Sequence, residues 1–588
     1  MDNKTRAITS IFGIVGCLAL LLSHVEKAFA WSQDEIISEA GYSKVLSYVD
    51  VSQEDLDNYK KLFQAIEADN IKAANLIFPE IKNEILMGHA LAEKFFSPKY
   101  TSTVKELSEW LGRFSDHPQA KRIYKLYVKK GGKNTGLSPD RMQMSADRSL
   151  AAYSWYAKGR GKIKSKHVEY LRGKTMQFKT FLKRGSTKNA RIILEDKQFK
   201  KAIPEKDYDS LRGTLARVYF LDNRDDLALE WSEPACSRSA DAISCWIAGI
   251  ASYRMANYTN AVQHFSKLGR LDDDEWLVAA GAFWAYRSHM KLDQSGEAKK
   301  WLKYAARYKR TFHGILANHK LGSSPDYNFD GVAYFNNFNK NSYLDELLVS
   351  PSIQRGIVLL SIENYKLAEK EFGSNYMDLT DKQKEVILYI ASQYKMHNLG
   401  IKISNHLQKS DKEMQYDSVA YPVPDWEFEG GWKVEKPFVL ALVRQESAFH
   451  PGATSRAGAR GLMQVMPNTA IHVTKNRSLK RDRRPLLEEE YNLSVGQNYV
   501  QYLLGQPYID GNLFFLMVAY NAGPGNLLKW KKRMNYDEDP LMFIETIPAR
   551  ETRLYIKRVM ANYWMYNIRF GVQSNSLKQL ADNAWPTF

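Results

Sequence analysis

From Trp31 to about residue 325, apolar residues recur at helical spacing in segment after segment, with short connections and no alternating strand pattern. One amphipathic helix pair cannot bury its apolar face, so a run of such pairs must stack into a solenoid. Gly249, Ala261 and Phe265 fall at the spacing of the small and aromatic positions in helix-turn-helix repeats. Gly281, Ala298 and Leu302 repeat the theme less regularly, and Arg355, Ala368 and Phe372 take it up again. The expected fold class is all-α, with a degenerate repeat.

The chain has 588 residues, too many for one core. Around 326–345 the composition turns to Asn, Asp, Gly and aromatics, as at a boundary. A short helical region runs on to about 416, and Tyr421-Pro422-Val423-Pro424 and Gly430-Gly431 then break the pattern. The expected order is a leader at 1–30, a superhelix at 31–340, a small helical linker at 341–416 and a last domain at 417–588.

The leader has the form of a cleavable signal peptide. Lys4 and Arg6 precede an apolar run from Ile8 to Leu22, and Ala28-Phe29-Ala30 is a small-x-small cleavage site before Trp31. The expected location is the periplasm. A lipoprotein processed at Cys17 is the weaker rival, because it would strand the leucine-rich stretch in the mature chain. Export leaves Cys236 and Cys245 where disulfides form, and a bridge between the ends of neighbouring helices is favoured over two buried thiols. No zinc spacing is present, and no metal or cofactor is expected. The formal charge of +17 calls for a polyanionic partner. Nucleic acid is the usual first guess, and export argues against it. The basic stretch Trp155–Lys201 reads first as a solvated face.

Chemistry concentrates after Pro437. Val439, Leu442, Val443 and Glu446 share one face of a predicted helix that is otherwise apolar. A carboxyl group on such a face needs a partner or keeps its proton, and a protonated Glu near neutral pH is what a general acid requires. Leu513, Leu516, Met517 and Tyr520 repeat the pattern with a phenol. Glu551 and Tyr555, four apart, continue into Val559, Asn562, Tyr563 and Tyr566, which places Glu551 inward in the first turn of a long helix.

Four motifs follow in order: Glu446-Ser447; Gly461-Leu462-Met463-Gln464; Ala519-Tyr520-Asn521; and Glu551-Thr552-Arg553 with Tyr555. Here the sequence resembles the soluble lytic transglycosylases, strongly over 426–588 and more loosely before. Glu109-Trp110-Leu111 and Thr311 to Ala317 carry the looser part, with His313 where the family often has Tyr. The resemblance implies an α-superhelix closed into a ring, a small helical linker domain and a C-terminal lysozyme-like domain. It implies cleavage of the β-1,4 bond between N-acetylmuramic acid and N-acetylglucosamine in peptidoglycan, with a 1,6-anhydro end, in cell-wall turnover. Glu446 would be acid and then base, while the substrate's acetamido group supports the anomeric carbon.

Tyr520 would bond to Glu446 or to the acetamido group. Ser455 would contact an N-acetyl group, with a turn residue as its alternative. Gln464 offers a donor and an acceptor to a sugar. Gly461 would let the backbone approach a ligand. Met463 and Met466 would form an adaptable floor, with core packing an equal rival. Asn521 would hold substrate or cap its helix. Glu551 and Tyr555 would contact substrate or organise the cleft. Glu551, and more weakly Glu545, are candidates for the second carboxylate of a hydrolase. Rival functions are a muramidase similar to goose-type lysozyme that uses water, and a periplasmic binding or assembly scaffold. The expected partner is the peptidoglycan glycan strand, met by a monomer that associates peripherally with the wall or outer membrane. Because the residues of the mechanism all lie within 417–588, that segment is expected to fold and cleave alone.

Overall fold

The computed structural model describes residues 50–133, 168–271, 274–330, 347–410, 416–428 and 430–588. The leader 1–30, the basic run Lys158–Lys166 and most of the 326–345 boundary lie outside them. Among the described residues every regular element is a helix, apart from two isolated bridges, Thr454 with Arg460 and Arg460 with Val465. The chain is all-α.

Two compact units are formed, each from two stretches of chain. The first takes described residues up to 152 and from 330 to 420. Its core joins Tyr59, Leu62 and Leu86 from the early helices to Val358, Leu359, Ile387 and Leu388 from the later ones. Side chains secure the helix starts. Thr103 and Glu106 form a reciprocal capping box at Val104–Arg113, as do Thr380 and Gln383 at Asp381–Gln393.

The second unit takes 168–329 and 421–588. Its early helices, Glu205–Leu221, Asp225–Ser239, Ala242–Arg254, Tyr258–Leu268, Glu275–Lys291, Ser295–Ala306 and Phe312–Leu321, each pack on the next. A Cβ on Gly249 would lie 2.6 Å from the ring of Phe265, so the glycine is the socket for that aromatic. Gly356 receives Phe372 in the same way, at 2.5 Å. The socket is thus Gly356 and not its neighbour Arg355: the sequence register was off by one. Gly281 packs against Gly269 and Leu268 instead, which explains its poorer fit to the repeat. Cys236 and Cys245 form a disulfide with Cα atoms 4.6 Å apart, joining the end of one helix to the start of the next.

Within this unit the C-terminal helices are built onto the repeat helices. Phe312 stacks on Trp564 with centroids 5.1 Å apart, and both rings are fully buried. Arg287 pairs with Asp539 at 2.5 Å, and Lys320 donates to the Ala581 carbonyl at 2.6 Å. Arg254 reaches the Asn535 carbonyl at 3.0 Å. These contacts count against a self-sufficient 417–588 segment. A fragment from 421 onward would expose Trp564 and leave Asp539 without Arg287. We expect faster amide exchange in its Arg550–Arg569 helix than in the full chain. Equal protection in the two would show that the repeat helices contribute little to that helix.

Candidate active site

The helix Lys436–Ser447 begins with Pro437 in its first turn, where a missing N–H costs nothing. Phe438 to Val443 are all buried. The helix ends abruptly. Ala448 and Phe449 are both left-handed, with φ of +48° and +63°, a conformation that costs a non-glycine residue about 1 kcal/mol or more. Burial of Phe449 and its stacking on Trp426, at 5.7 Å, hold the turn in place. Glu446 therefore sits at the end of an apolar face, just before a fixed bend.

The Glu446 side chain is only partly covered, yet its carboxyl lies deep enough that desolvation raises its pKa to about 7. The Tyr555 hydroxyl donates to Oε1 at 2.7 Å and opposes the rise, while the charge of Glu551 adds to it. Among the described residues, Glu551 is the only carboxylate that contributes to this shift. Glu551 itself is exposed, not inward, since the first turn of Arg550–Arg569 lies at the surface. Glu545 is buried in an ion pair with Lys557 at 2.5 Å and is not available as a second carboxylate.

The rest of the fourth motif is structural in a specific way. Thr552 donates to Asn521 Oδ1 at 2.7 Å, joining the helix to Leu513–Ala522. Arg553 is buried and donates to the carbonyls of Ile547 and Pro548, which clamps the chain entering the helix. Burial lowers its pKa to about 9. The sequence reading gave neither residue a role. Both sat inside the motif, but a backbone carbonyl acceptor leaves no trace in sequence.

Tyr520 does not bond to Glu446. Its hydroxyl donates to the Met463 carbonyl at 2.8 Å, although it lies near enough for the Glu446 charge to help push its pKa up. It thereby ties its helix to the Gly461–Gln464 turn. Gly461 has φ +77°, and a Cβ there would lie 2.2 Å from the Leu486 carbonyl oxygen. The close approach that needs glycine is therefore to the protein's own chain. Asn492, fully buried, completes this anchor. It accepts from Met463 N–H at 2.8 Å and donates to the carbonyls of Leu486 and Arg460 at 2.8 and 2.9 Å. The sequence reading missed Asn492, which lies well downstream of the motif it holds.

Gln464 has φ +47°, and its amide donates to the carbonyls of Ala453 and Gly461. The Ser455 hydroxyl accepts from Ala459 N–H at 3.0 Å, inside its own turn. Met463 is fully buried, and its sulfur would lie 2.2 Å from a Cβ on Gly496, so it packs as core. Met466 is 40% exposed. Glu446, Tyr555, Tyr520, Met463 and Asn521 thus form one connected constellation. Ser455, Gln464 and Met466 belong to the adjoining turns.

One cluster elsewhere has metal-type groups. His89, His117 and Glu371, in the first unit, bring three ligand-type atoms within 4.8 Å of one another. Hydrogen bonding argues against ligation. His117 Nδ1 accepts from Gln119 N–H at 3.2 Å, which puts the ring proton on Nε2, the atom that faces Glu371. Arg355 covers both oxygens of Glu371, at 2.6 and 3.1 Å. The group is a buried ion pair flanked by neutral imidazoles.

Residues 427–542 match the Transglycosylase SLT domain family. The chain is 27% identical over 414 residues to the soluble lytic murein transglycosylase of Salmonella typhimurium, a match covering 68% of this chain and 60% of that protein. With the enzyme of the same name from Escherichia coli K12 it shares 26% over 386 residues, covering 64% and 57%. The matched stretch is thus less than two thirds of either relative. The 70 kDa soluble lytic transglycosylase of Escherichia coli superposes with a TM-score of 0.62 at 17% identity, over 92% of this chain and 100% of that one. An inactive mutant of lytic transglycosylase Slt from Pseudomonas aeruginosa gives 0.51 at 17% identity, over 91% and 90%. The chain shares the fold of these solved lytic transglycosylases, and its residues 427–542 carry the likeness to the SLT domain family.

Proposed function

We propose that this chain is a peptidoglycan lytic transglycosylase. It cleaves the β-1,4 bond between N-acetylmuramic acid and N-acetylglucosamine and leaves a 1,6-anhydromuramic acid end. The observation that carries this reading is Glu446: a carboxyl group poised near neutrality and held by one phenol, with no buried carboxylate acting on it among the described residues. Most glycosidases need two carboxylates, one for the leaving group and one for water or the anomeric carbon. Ring closure by the substrate's own C6 hydroxyl needs one. Protonated Glu446 gives its proton to the glycosidic oxygen, the C1–O bond breaks, and the acetamido group supports C1. The carboxylate then takes the C6 hydroxyl proton as that oxygen bonds to C1, so the catalyst ends as it began.

We place Tyr555 as the group that orients Glu446, and Tyr520, Met463 and Asn521 as the frame of the cleft. Ser455, Gln464, Met466 and Glu551 are proposed as substrate contacts. The linear order of leader, superhelix, linker and catalytic domain is part of the same proposal, as is export to the periplasm. Among the described residues no helix is long and apolar enough to cross a membrane. Hydrolysis is the second reading, favoured only by Glu551, whose charge reaches Glu446. Mass spectrometry of digested peptidoglycan separates the two: anhydro ends support transglycosylation, and reducing ends overturn it.

The pH profile offers a sharper check on Tyr555. Glu446 must start protonated, so activity should fall as pH rises through about 7. The Tyr555 bond favours the carboxylate, so Tyr555→Phe should move this basic limb to higher pH. A limb that stays in place, or moves down, would exclude that role.

A further inference from the structure

Two short 3-10 turns, Arg477–Lys480 and Arg484–Leu487, connect the helices Pro467–Thr474 and Glu489–Leu504. This connection carries Lys475, Arg477, Lys480, Arg481, Arg483 and Arg484, all exposed, against two acids, Asp482 and Glu488, the latter at the cap of the next helix. Arg484 takes Asp482 at 2.8 Å. Among the described residues the other five cations form no ion pair. Glu489 and Glu490, which follow, lie in the first turn of the next helix, where their charge is favourable, and Glu489 accepts from the Trp426 indole at 2.6 Å.

A charge run is ordinarily a solvated face, but this one is built. Leu479 and Leu486 are fully buried and pin both turns. The Asn476 side chain accepts from Ser478 N–H at 3.1 Å and from its hydroxyl at 2.7 Å. The Leu486 carbonyl is held by Asn492, the residue that also holds the Gly461–Gln464 turn. The cations are therefore displayed from a fixed base.

They also continue a surface that starts at Glu446. Tyr520, which feels the Glu446 charge, meets Tyr499 at 5.4 Å between centroids. Tyr499 stacks with Tyr502 at 6.3 Å, and Tyr502, 40% exposed, meets His472 edge-on at 4.9 Å. Lys475 follows His472 by about one helical turn. A partly exposed aromatic path thus leads from the carboxyl group to the cationic turns. A glycan strand offers apolar sugar faces to such a path and carries stem peptides that end in free carboxylates.

We propose that Tyr502, His472 and the cationic turns 475–484 form a distal docking site for the acidic stem peptides of the strand being cut. The proposal rests on the transglycosylase reading. An anionic membrane surface is the other partner such cations would suit. It is less favoured because a membrane seated here would compete with the strand for the face that leads to Glu446.

The test is a triple variant of the full chain, Lys480→Gln with Arg481→Gln and Arg483→Gln, assayed on peptide-bearing strands and on strands stripped of peptides. We expect KM on peptide-bearing strands to rise about five- to tenfold, with kcat and all kinetics on stripped strands unchanged. The preference of the wild-type chain for peptide-bearing strands should shrink as salt is added. A KM that is unchanged, or raised equally on both substrates, overturns the proposal. So does an unchanged KM together with lost binding to phosphatidylglycerol vesicles, which would assign the turns to a membrane. Co-sedimentation of Glu446→Gln protein with the same two strand preparations reads docking without turnover. Weaker binding to peptide-bearing strands on adding the three changes supports the site even if the wild-type products turn out to be reducing ends, and equal binding overturns it.

Discussion

Glu446→Gln should reduce peptidoglycan cleavage by about 10²–10⁴-fold or more, because in the proposed mechanism one side chain supplies both proton transfers. Gln keeps the shape and can still accept a hydrogen bond from Tyr555, but it neither gives nor receives the proton. The fold should not suffer. Glu446 is held at about 7 in the folded chain, against an ordinary 4.5. A group whose pKa rises on folding contributes stability at acid pH and loses it as pH climbs through the folded value. The amide stays neutral throughout, so the variant should melt no lower than the wild type at pH 6 and somewhat higher at pH 8. That is the sign expected when a catalytic group is kept at a cost to stability. Quantified anhydro-muropeptide release and thermal melts at the two pH values give both answers. A variant with more than about a tenth of the wild-type rate would remove Glu446 from the acid–base role, since that loss is below the usual range for such a group.

The helix carrying Glu446 was legible because its constraint is local: an i, i+3, i+4, i+7 face ending in a carboxyl group. Tyr555 was legible for the same reason, as it continues the apolar face of a 20-residue helix. What escaped was set by partners distant in sequence or by the backbone. Periodicity put Glu551 on the same face as Tyr555, but it could not tell that the first turn emerges at the surface. Tyr520 was read from its face as pointing inward, yet its acceptor is a carbonyl 57 residues away. Gly461 looked like room for a ligand, and only the fold reveals that Leu486 fills the space. The socket glycine at 356 was missed by one position because the repeat drifts. The pairing of Phe312 with Trp564 crosses most of the second unit and has no sequence signature at all.

The second large effect is expected in the first unit, at a charge cluster whose members lie up to 282 residues apart. Arg355→Ala should destabilise that unit by about 3–5 kcal/mol at neutral pH, because it strands a buried carboxylate. Glu371 is fully covered, and burial pushes its carboxyl up while Arg355 holds it down. The same guanidinium reaches Asp116 at 2.9 Å. With Glu371 matched by Arg355, His89 and His117 have no free counter-charge, and burial holds both imidazoles well below the ordinary 6.5. Groups of this kind stabilise the fold fully above 6.5 and lose that contribution as pH falls below it, by up to about 1.4 kcal/mol per histidine per pH unit. Removing Arg355 changes the sign for His89. Its Nε2 lies 2.7 Å from a carboxylate that is no longer matched, so protonation becomes favourable in the folded state. The wild-type unit should therefore weaken from pH 6.5 to 5, while the variant, weaker at pH 7.5, should lose less over the same interval or gain. Hydrogen exchange of the helix Met87–Phe96 in mild urea, measured at pH 5, 6 and 7.5 and corrected for intrinsic rates, reads the difference directly. Equal protection of the two proteins at pH 7.5 would show that Arg355 is not the counter-charge that keeps Glu371 buried, and parallel pH slopes would show that His89 does not respond to it.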